Sequence, residues 1–174
     1  AGEPVNPSEL DSVMSIGERL SSAYFAHLLS MKGMPAVAFT GRQAGILTDD
    51  NPGNAKILDI KTSRILKTLN EGKTAVVAGF QGVTSKGDIR TLGRGGSDTS
   101  AVALGSSLDA EVVEIYSDVD GIANCDPHQI PEAVFMDSVS VTQILSMTDE
   151  GSKVIHPRAV KASLKTKTDI VVRN

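Results

Sequence analysis

The residues of this chain best suited to chemistry lie in one short run, Leu92-Gly93-Arg94-Gly95-Gly96-Ser97-Asp98-Thr99-Ser100-Ala101. Glycines surround a single arginine, and a Ser-Asp pair then opens a helical stretch of small residues. Gly has no Cβ, so such a loop lets the backbone approach a bound group closely. A helix starting near Ser97 adds free N–H groups and the positive end of its dipole, which favour an anion. Arg94 supplies a bidentate clamp for a carboxylate or phosphate, and Asp98 can hold an amine. The segment therefore offers both charges that a zwitterionic amino acid requires. A plain glycine-rich turn with a surface arginine and a helix cap uses the same residue types, but the ordered set Arg-Gly-Gly-Ser-Asp-Thr argues against it.

Other candidates are less specific when read singly. Gly79-Phe80-Gln81-Gly82 follows a β-rich run, and its glycines serve equally to turn N–H groups toward a phosphate or to make a tight strand exit. Tyr116-Ser117-Asp118-Val119-Asp120-Gly121 ends another strand with a hydroxyl and two carboxylates. Asp118 and Asp120 share one side of an extended chain and could orient a lysine, a ribose hydroxyl or Mg2+-bound water, although Asp-Gly is also simply a turn former. Asp126-Pro127 is a turn signal with His128 beside it. Glu18 sits about 200° around its helix from Ile16, a face where a glutamate is solvated unless a ligand lies there. Lys153 precedes an apolar pair and a proline-marked helix start, from which a lysine can reach phosphates as a point charge. There is no H-E-x-x-H, no C-x-x-C, no G-x-x-x-x-G-K-[ST] and no G-x-S-x-G, so zinc hydrolase, P-loop and serine-elbow chemistries drop out.

These side chains need a scaffold, and the composition supports one. The chain has 174 residues, 40% of them hydrophobic and only 3% aromatic, so Ala, Val, Ile and Leu must fill the core of a single domain, 1–174. The formal net charge of −4, with no basic run, argues against nucleic-acid binding. A single cysteine, Cys125, fits a reducing compartment. With no signal peptide and no stretch long enough to span a bilayer, the expected location is the cytoplasm.

Ser8 with Asp11 resembles a capping box, and Val13, Ile16, Leu20, Tyr24 and Leu28 predict an apolar stripe on a helix that stops at Gly33. Strands are predicted at Ala36–Phe39, Ile57–Ile60, Thr74–Ala78, Val112–Tyr116 and Ile170–Val172. Helices are predicted around Ile65–Leu69, Ser97–Leu108, after the capping box Ser140/Gln143, and from Pro157 to Lys165. Alternation of this kind makes an α/β fold with parallel strands, whose ligands sit beyond the carboxyl ends of the strands.

Taken in order, the motifs resemble the aspartokinases of the amino-acid kinase family. They are Ser15-Ile16-Gly17-Glu18-Arg19-Leu20-Ser21, Gly41-Arg42-Gln43-Ala44-Gly45-Ile46, Val77 to Gly82, Leu92 to Ala101, Ser117 to Gly121, Asp126-Pro127 and Gly151-Ser152-Lys153-Val154. The resemblance runs from about Ser12 to the end. It implies a three-layer αβα sandwich with a mainly parallel central sheet. It further implies phosphoryl transfer from ATP with Mg2+ to the side-chain carboxylate of L-aspartate, the first step of lysine, threonine and methionine biosynthesis. By motif position, Arg94 would hold a substrate carboxylate, Glu18 and Asp98 the ammonium group, and Ser97 would line the pocket. Arg94, Asp98 and Lys153 would be the catalytic set, with no side-chain metal cluster. Ser117, Asp118, Ala123, His128 and Lys153 would face the nucleotide. A homo-oligomer is expected, with neither nucleic acid nor membrane as partner.

The chain departs from the family pattern in several ways. The strand and K-F-G-G-[ST] loop that open the family's domain have no counterpart, and regulatory domains are missing, so a domain incomplete for catalysis is expected. Ala123 and His128 stand where the family places an aromatic residue and an arginine, and Ser117 replaces threonine. The alternative these changes raise is a non-catalytic amino-acid-binding or assembly module derived from an aspartokinase.

Overall fold

The computed structural model describes residues 6–118, 120–125, 130, 132–149, 157–163 and 168–174. They fall into two compact units, 1–100 and 101–174.

In the first unit, α1 (Pro7–Met14) and α2 (Ile16–Met31) meet at Ser15. The cap of α1 is Asn6, whose side chain accepts the Ser8 N–H at 3.1 Å, so the expected Ser8/Asp11 box does not form. Pro7, with no N–H to lose, occupies the first helical position and moves the start back by one residue. The parallel pair β1 (Ala36–Phe39) and β4 (Thr74–Val77) runs from Ala36↔Thr74 to Phe39↔Val77. Helix α2 packs on both strands, and α3 (Ser63–Asn70) packs on β4.

The face that α2 buries is not the predicted one. Its buried positions are Ser22 and Ala26, whereas Leu20 is 70% and Tyr24 62% exposed, and Val13 and Ile16 are exposed too. Small side chains let the helix backbone approach the strands closely, and periodicity in large apolar residues does not report that requirement.

A second sheet, in the order β3-β2-β5-β6, contains one strand that the sequence predicts, Ile57–Ile60, and three that it does not. Its strands are β2 (Ile46–Thr48), β3 (Ile57–Ile60), β5 (Gln81–Val83) and β6 (Ile89–Thr91). Pairing is antiparallel for β2 with β3 and for β5 with β6, and parallel for β2 with β5. Three-residue strands are too short to show a period, and Gly82 lies within β5. There a Cβ would stand 2.6 Å from Thr48 Cγ2 and 2.8 Å from the Ile46 carbonyl, so glycine marks close strand approach as well as a turn.

Gly45, at φ +80°, leads the chain into β2, and a Cβ there would collide with the Lys61 carbonyl. Gly45→Ala is expected to lower the unfolding free energy by about 2 kcal/mol or more, from left-handed strain plus the clash. An unchanged urea midpoint would show that the turn relaxes freely.

The second unit holds β7 (Val112–Tyr116) and β8 (Asp169–Arg173), parallel from Val112↔Asp169 to Tyr116↔Arg173. It also holds α5 (Val141–Asp149) and α6 (Pro157–Ser163). Its core is Val102, Val113, Ala159 and Val160, with Ile115, Ile144 and Ile170 packed around them. The capping box of α5 is as expected: Gln143 Oε1 accepts the Ser140 N–H at 3.1 Å, and Ser140 Oγ accepts the Gln143 N–H at 3.3 Å. Helix α4 (Gly96–Ser107) starts in the first unit and continues into the second. The fold is α/β, with parallel pairing in β1·β4, β2·β5 and β7·β8. Among the described residues no helix is long and apolar enough to cross a membrane.

Candidate functional site

In the first unit the site is built where β4 ends. Ala78 is buried, and the chain then turns through Gly79 and Phe80 before entering β5. Phe80 holds φ +66°, a left-handed conformation that costs a non-glycine residue roughly 1–2 kcal/mol. Its surroundings hold it there. The Phe80 N–H donates to Ser100 Oγ at 3.2 Å, and the Phe80 carbonyl accepts the Leu92 N–H at 2.9 Å. Ser100, 1% exposed, donates its own hydroxyl to the Ser97 carbonyl at 2.8 Å. One serine thus ties the strand exit to the first turn of α4. Ser100→Ala leaves the Phe80 N–H without an acceptor, and a loss of about 1–3 kcal/mol is expected. Thermal denaturation would show it, and an unshifted midpoint would mean that packing and the Leu92 N–H bond to the Phe80 carbonyl hold the corner without Ser100.

The arginine loop docks on the same corner. Gly93 and Gly95 are left-handed at φ +75° and +68°. A Cβ on Gly96 would lie 2.7 Å from the Phe80 ring, and one on Gly79 would lie 2.7 Å from Ser100 Oγ. Gly95 is needed for conformation, Gly79 and Gly96 for proximity, and Gly93 for both, since the Gly53 carbonyl lies 2.7 Å from where its Cβ would stand. In the first turn of α4, Thr99 N–H returns to the Gly95 carbonyl at 3.0 Å. Among the described residues nothing engages the N–H groups of Ser97 and Asp98. Arg94 is exposed and makes no ion pair among them, Ser97 is exposed, and Asp98 is half-buried with no salt bridge.

Glu18, on the first turn of α2, is half-buried, and its Oε2 is fully buried without a hydrogen-bond partner among the described residues. It lines a cleft of about 540 Å³ with Ser21, Tyr24, Phe25, Ala78 and Gly79. The structure therefore brings Glu18 to the strand exit that the arginine loop touches, although Arg94, Ser97 and Asp98 do not themselves line the cleft. An unpaired buried carboxylate oxygen is costly, and a ligand N–H is the natural donor for it.

Sequence reasoning missed the polar groups that fix this arrangement. Gln81, 2% exposed, donates from Nε2 to the Ser15 carbonyl at 3.1 Å, joining β5 to the start of the Glu18 helix. Asp11 is buried and bonded to two distant segments. A polar residue between glycines in a β-rich run is the signal that could have marked Gln81. Asp11 had none, because its partners are remote in sequence.

In the second unit, Ser117 and Asp118 follow β7. The Ser117 N–H donates to the Arg173 carbonyl at 2.8 Å, and its hydroxyl donates to Asp118 Oδ1 at 3.2 Å. Beside them, Arg173 Nε sits 2.7 Å from Glu114 Oε1, and Tyr116 donates to Glu114 Oε2. The Arg173 hydrogen bond, then that of Tyr116, holds Glu114 below the usual carboxylate range, and Glu114 in turn raises the Tyr116 phenol. Ala123 is 5% exposed and bridges Phe135. Asp126, Pro127, His128 and Lys153 lie outside the described residues.

Comparison with known proteins adds the lineage. The model of the amino acid kinase family matches residues 2–174. Aspartokinase 1 of Bacillus subtilis is 45% identical over 170 residues, covering 98% of this chain and 42% of its own length. Among solved structures, E. coli aspartokinase III in complex with aspartate and ADP superposes with a TM-score of 0.87 at 30% identity, over 98% of this chain and 39% of that one. The aspartate kinase of Synechocystis superposes with a TM-score of 0.82 at 40% identity, over 99% and 28%. The chain thus spans about two fifths or less of the length of these relatives. Its αβ architecture and its motifs agree with a family model that extends over nearly every residue: this chain belongs to the amino acid kinase family.

Proposed function

We propose that the chain serves the phosphorylation of the side-chain carboxylate of L-aspartate by ATP, giving 4-phospho-L-aspartate. The observation that carries this reading is the buried Oε2 of Glu18, without a hydrogen-bond partner among the described residues, in a cleft floored by the end of β4. It is a receptor for an ammonium group. Relatives named as aspartokinases, and a neighbour solved with aspartate and ADP, support the same substrate class.

In this reading Arg94 clamps a carboxylate of the amino acid, Asp98 shares the ammonium with Glu18, and the N–H groups of Ser97 and Asp98, unengaged among the described residues, draw in negative charge. These groups hold the acceptor oxygen in line, and positioning with charge neutralisation is most of what phosphoryl transfer asks of a protein. Ser117, Asp118, Ala123, His128 and Lys153 form the proposed nucleotide side. Asp118 and Asp120 could orient water bound to a magnesium ion, which when bound neutralises phosphate charge. The two units are read as parts of one kinase domain, in a homo-oligomer located in the cytoplasm.

The second reading, an amino-acid-binding module without catalysis, is favoured by the burial of Ala123 where the resemblance calls for an aromatic residue. Hydroxylamine trapping of aspartyl phosphate, beside calorimetric titration with L-aspartate and MgATP, tests both. Hydroxamate formed with L-aspartate and absent with L-glutamate supports the kinase. Aspartate binding with neither nucleotide binding nor hydroxamate supports the module, and absence of aspartate binding overturns both.

A further inference from the structure

We infer that Asp11 is a positioning residue for the arginine loop, acting through Gly53 and Thr91. Asp11 lies on α1, far in sequence from that loop, and is 1% exposed. Its Oδ1 accepts the Thr91 hydroxyl at 2.6 Å and the Gly53 N–H at 3.0 Å, and Oδ2 accepts the same N–H at 3.1 Å. Among the described residues it makes no ion pair, so N–H and O–H dipoles alone solvate the carboxylate. Hydrogen bonds to a carboxylate are the strong, directional kind.

Both partners bear on the loop. Thr91 is the last residue of β6, fully buried, and leads through Leu92 into Gly93 and Arg94. Its carbonyl accepts the Ala55 N–H at 3.0 Å, which binds the 49–55 turn to the same strand end. The Gly53 carbonyl sits 2.7 Å from where a Cβ on Gly93 would stand, with Asn54 Oδ1 at 3.3 Å. The left-handed Gly93, one residue before Arg94, is therefore seated on a turn that Asp11 holds by its amide. One carboxylate fixes the strand that delivers the loop and the surface on which it rests. A carboxylate serving only the stability of α1 would need neither partner.

The proposal rests on the reading of Arg94 as a substrate clamp only for its ligand readout, and the experiment separates the two. In the full chain, Thr91→Val removes one bond with little change in volume, Thr91→Ser restores the hydroxyl, and Asp11→Ala removes both partners. Amide hydrogen exchange at Gly96 and Thr99, whose N–H groups donate to the Gly93 and Gly95 carbonyls, is compared with that of β1 and β4, and L-aspartate affinity is measured by calorimetry. Thr91→Val and Asp11→Ala are expected to speed exchange at these two loop amides and weaken aspartate binding by about tenfold or more, the loss of a hydrogen bond to a charged group. β1 and β4 stay as in the parent, and Thr91→Ser recovers most of the loss. The proposal is overturned if exchange at Gly96 and Thr99 rises only in step with β1 and β4, or if folded Thr91→Val leaves it unchanged. Should Asp11→Ala not fold, Thr91→Val decides. A parent chain that binds no L-aspartate removes the functional reading, and the exchange contrast still decides the role of Asp11.

Discussion

Arg94→Ala is expected to lower kcat/KM for aspartyl phosphate formation by roughly 10- to 100-fold, the loss of a charged hydrogen-bond partner worth about 1.5–3 kcal/mol. The guanidinium is exposed and makes no ion pair among the described residues, so none of the described contacts depends on it. Surface substitutions of this kind change stability by about 0.5 kcal/mol or less. A large loss of activity with an unchanged unfolding midpoint is the signature of a group kept for a ligand. Arg94→Lys keeps the charge but loses the planar fork, and it should recover only part of the rate. If Arg94→Ala binds L-aspartate as the parent does, the clamp lies elsewhere, and the free N–H groups at the start of α4 become the leading anion site.

Glu18→Gln is expected to weaken L-aspartate binding by roughly 10- to 100-fold, from the loss of a charged hydrogen-bond partner worth about 1.5–3 kcal/mol. Its effect on folding should have the opposite sign. Oε2 is buried without a donor among the described residues, so the empty protein bears the desolvation cost of that oxygen. A neutral amide lowers the cost, and the variant should be at least as stable as the parent. Binding down and stability level or up, measured by calorimetry and thermal denaturation on the same preparation, distinguishes a receptor from a structural carboxylate. A destabilised variant with intact affinity would make Glu18 an ordinary helix residue.

Legibility in the sequence followed the range of the interaction. Val112–Tyr116 was read at its observed bounds because an uninterrupted β-rich run needs no distant information. The Ser140/Gln143 box succeeded for the same reason: both partners sit within one helical turn. The arginine loop was legible because Gly93 and Gly95 occupy left-handed backbone that other residues resist. What could not be read was long-range. Asp11 looks like a cap residue until Thr91 and Gly53 stand beside it. Arg90, which no motif marks, is buried, with Nε donating to Asp50 Oδ1 at 2.9 Å. The apolar stripe of α2 misled because the helix buries Ser22 and Ala26 against β1 and β4, a demand for closeness that hydropathy does not encode.

The pairing of β7 with β8 has a temporal side. Val112 finds its register partner only at Asp169, near the end of the chain. Contacts this distant form slowly, because loop-closure entropy is lost before any pairing is gained. During synthesis at about 5–20 residues per second, β7 leaves the ribosome several seconds before β8 exists. For that interval its edge is a template for other strands, while β1 and β4, both already made, can pair. Assembly of the second unit is therefore late by topology, and co-translational misassembly should concentrate there.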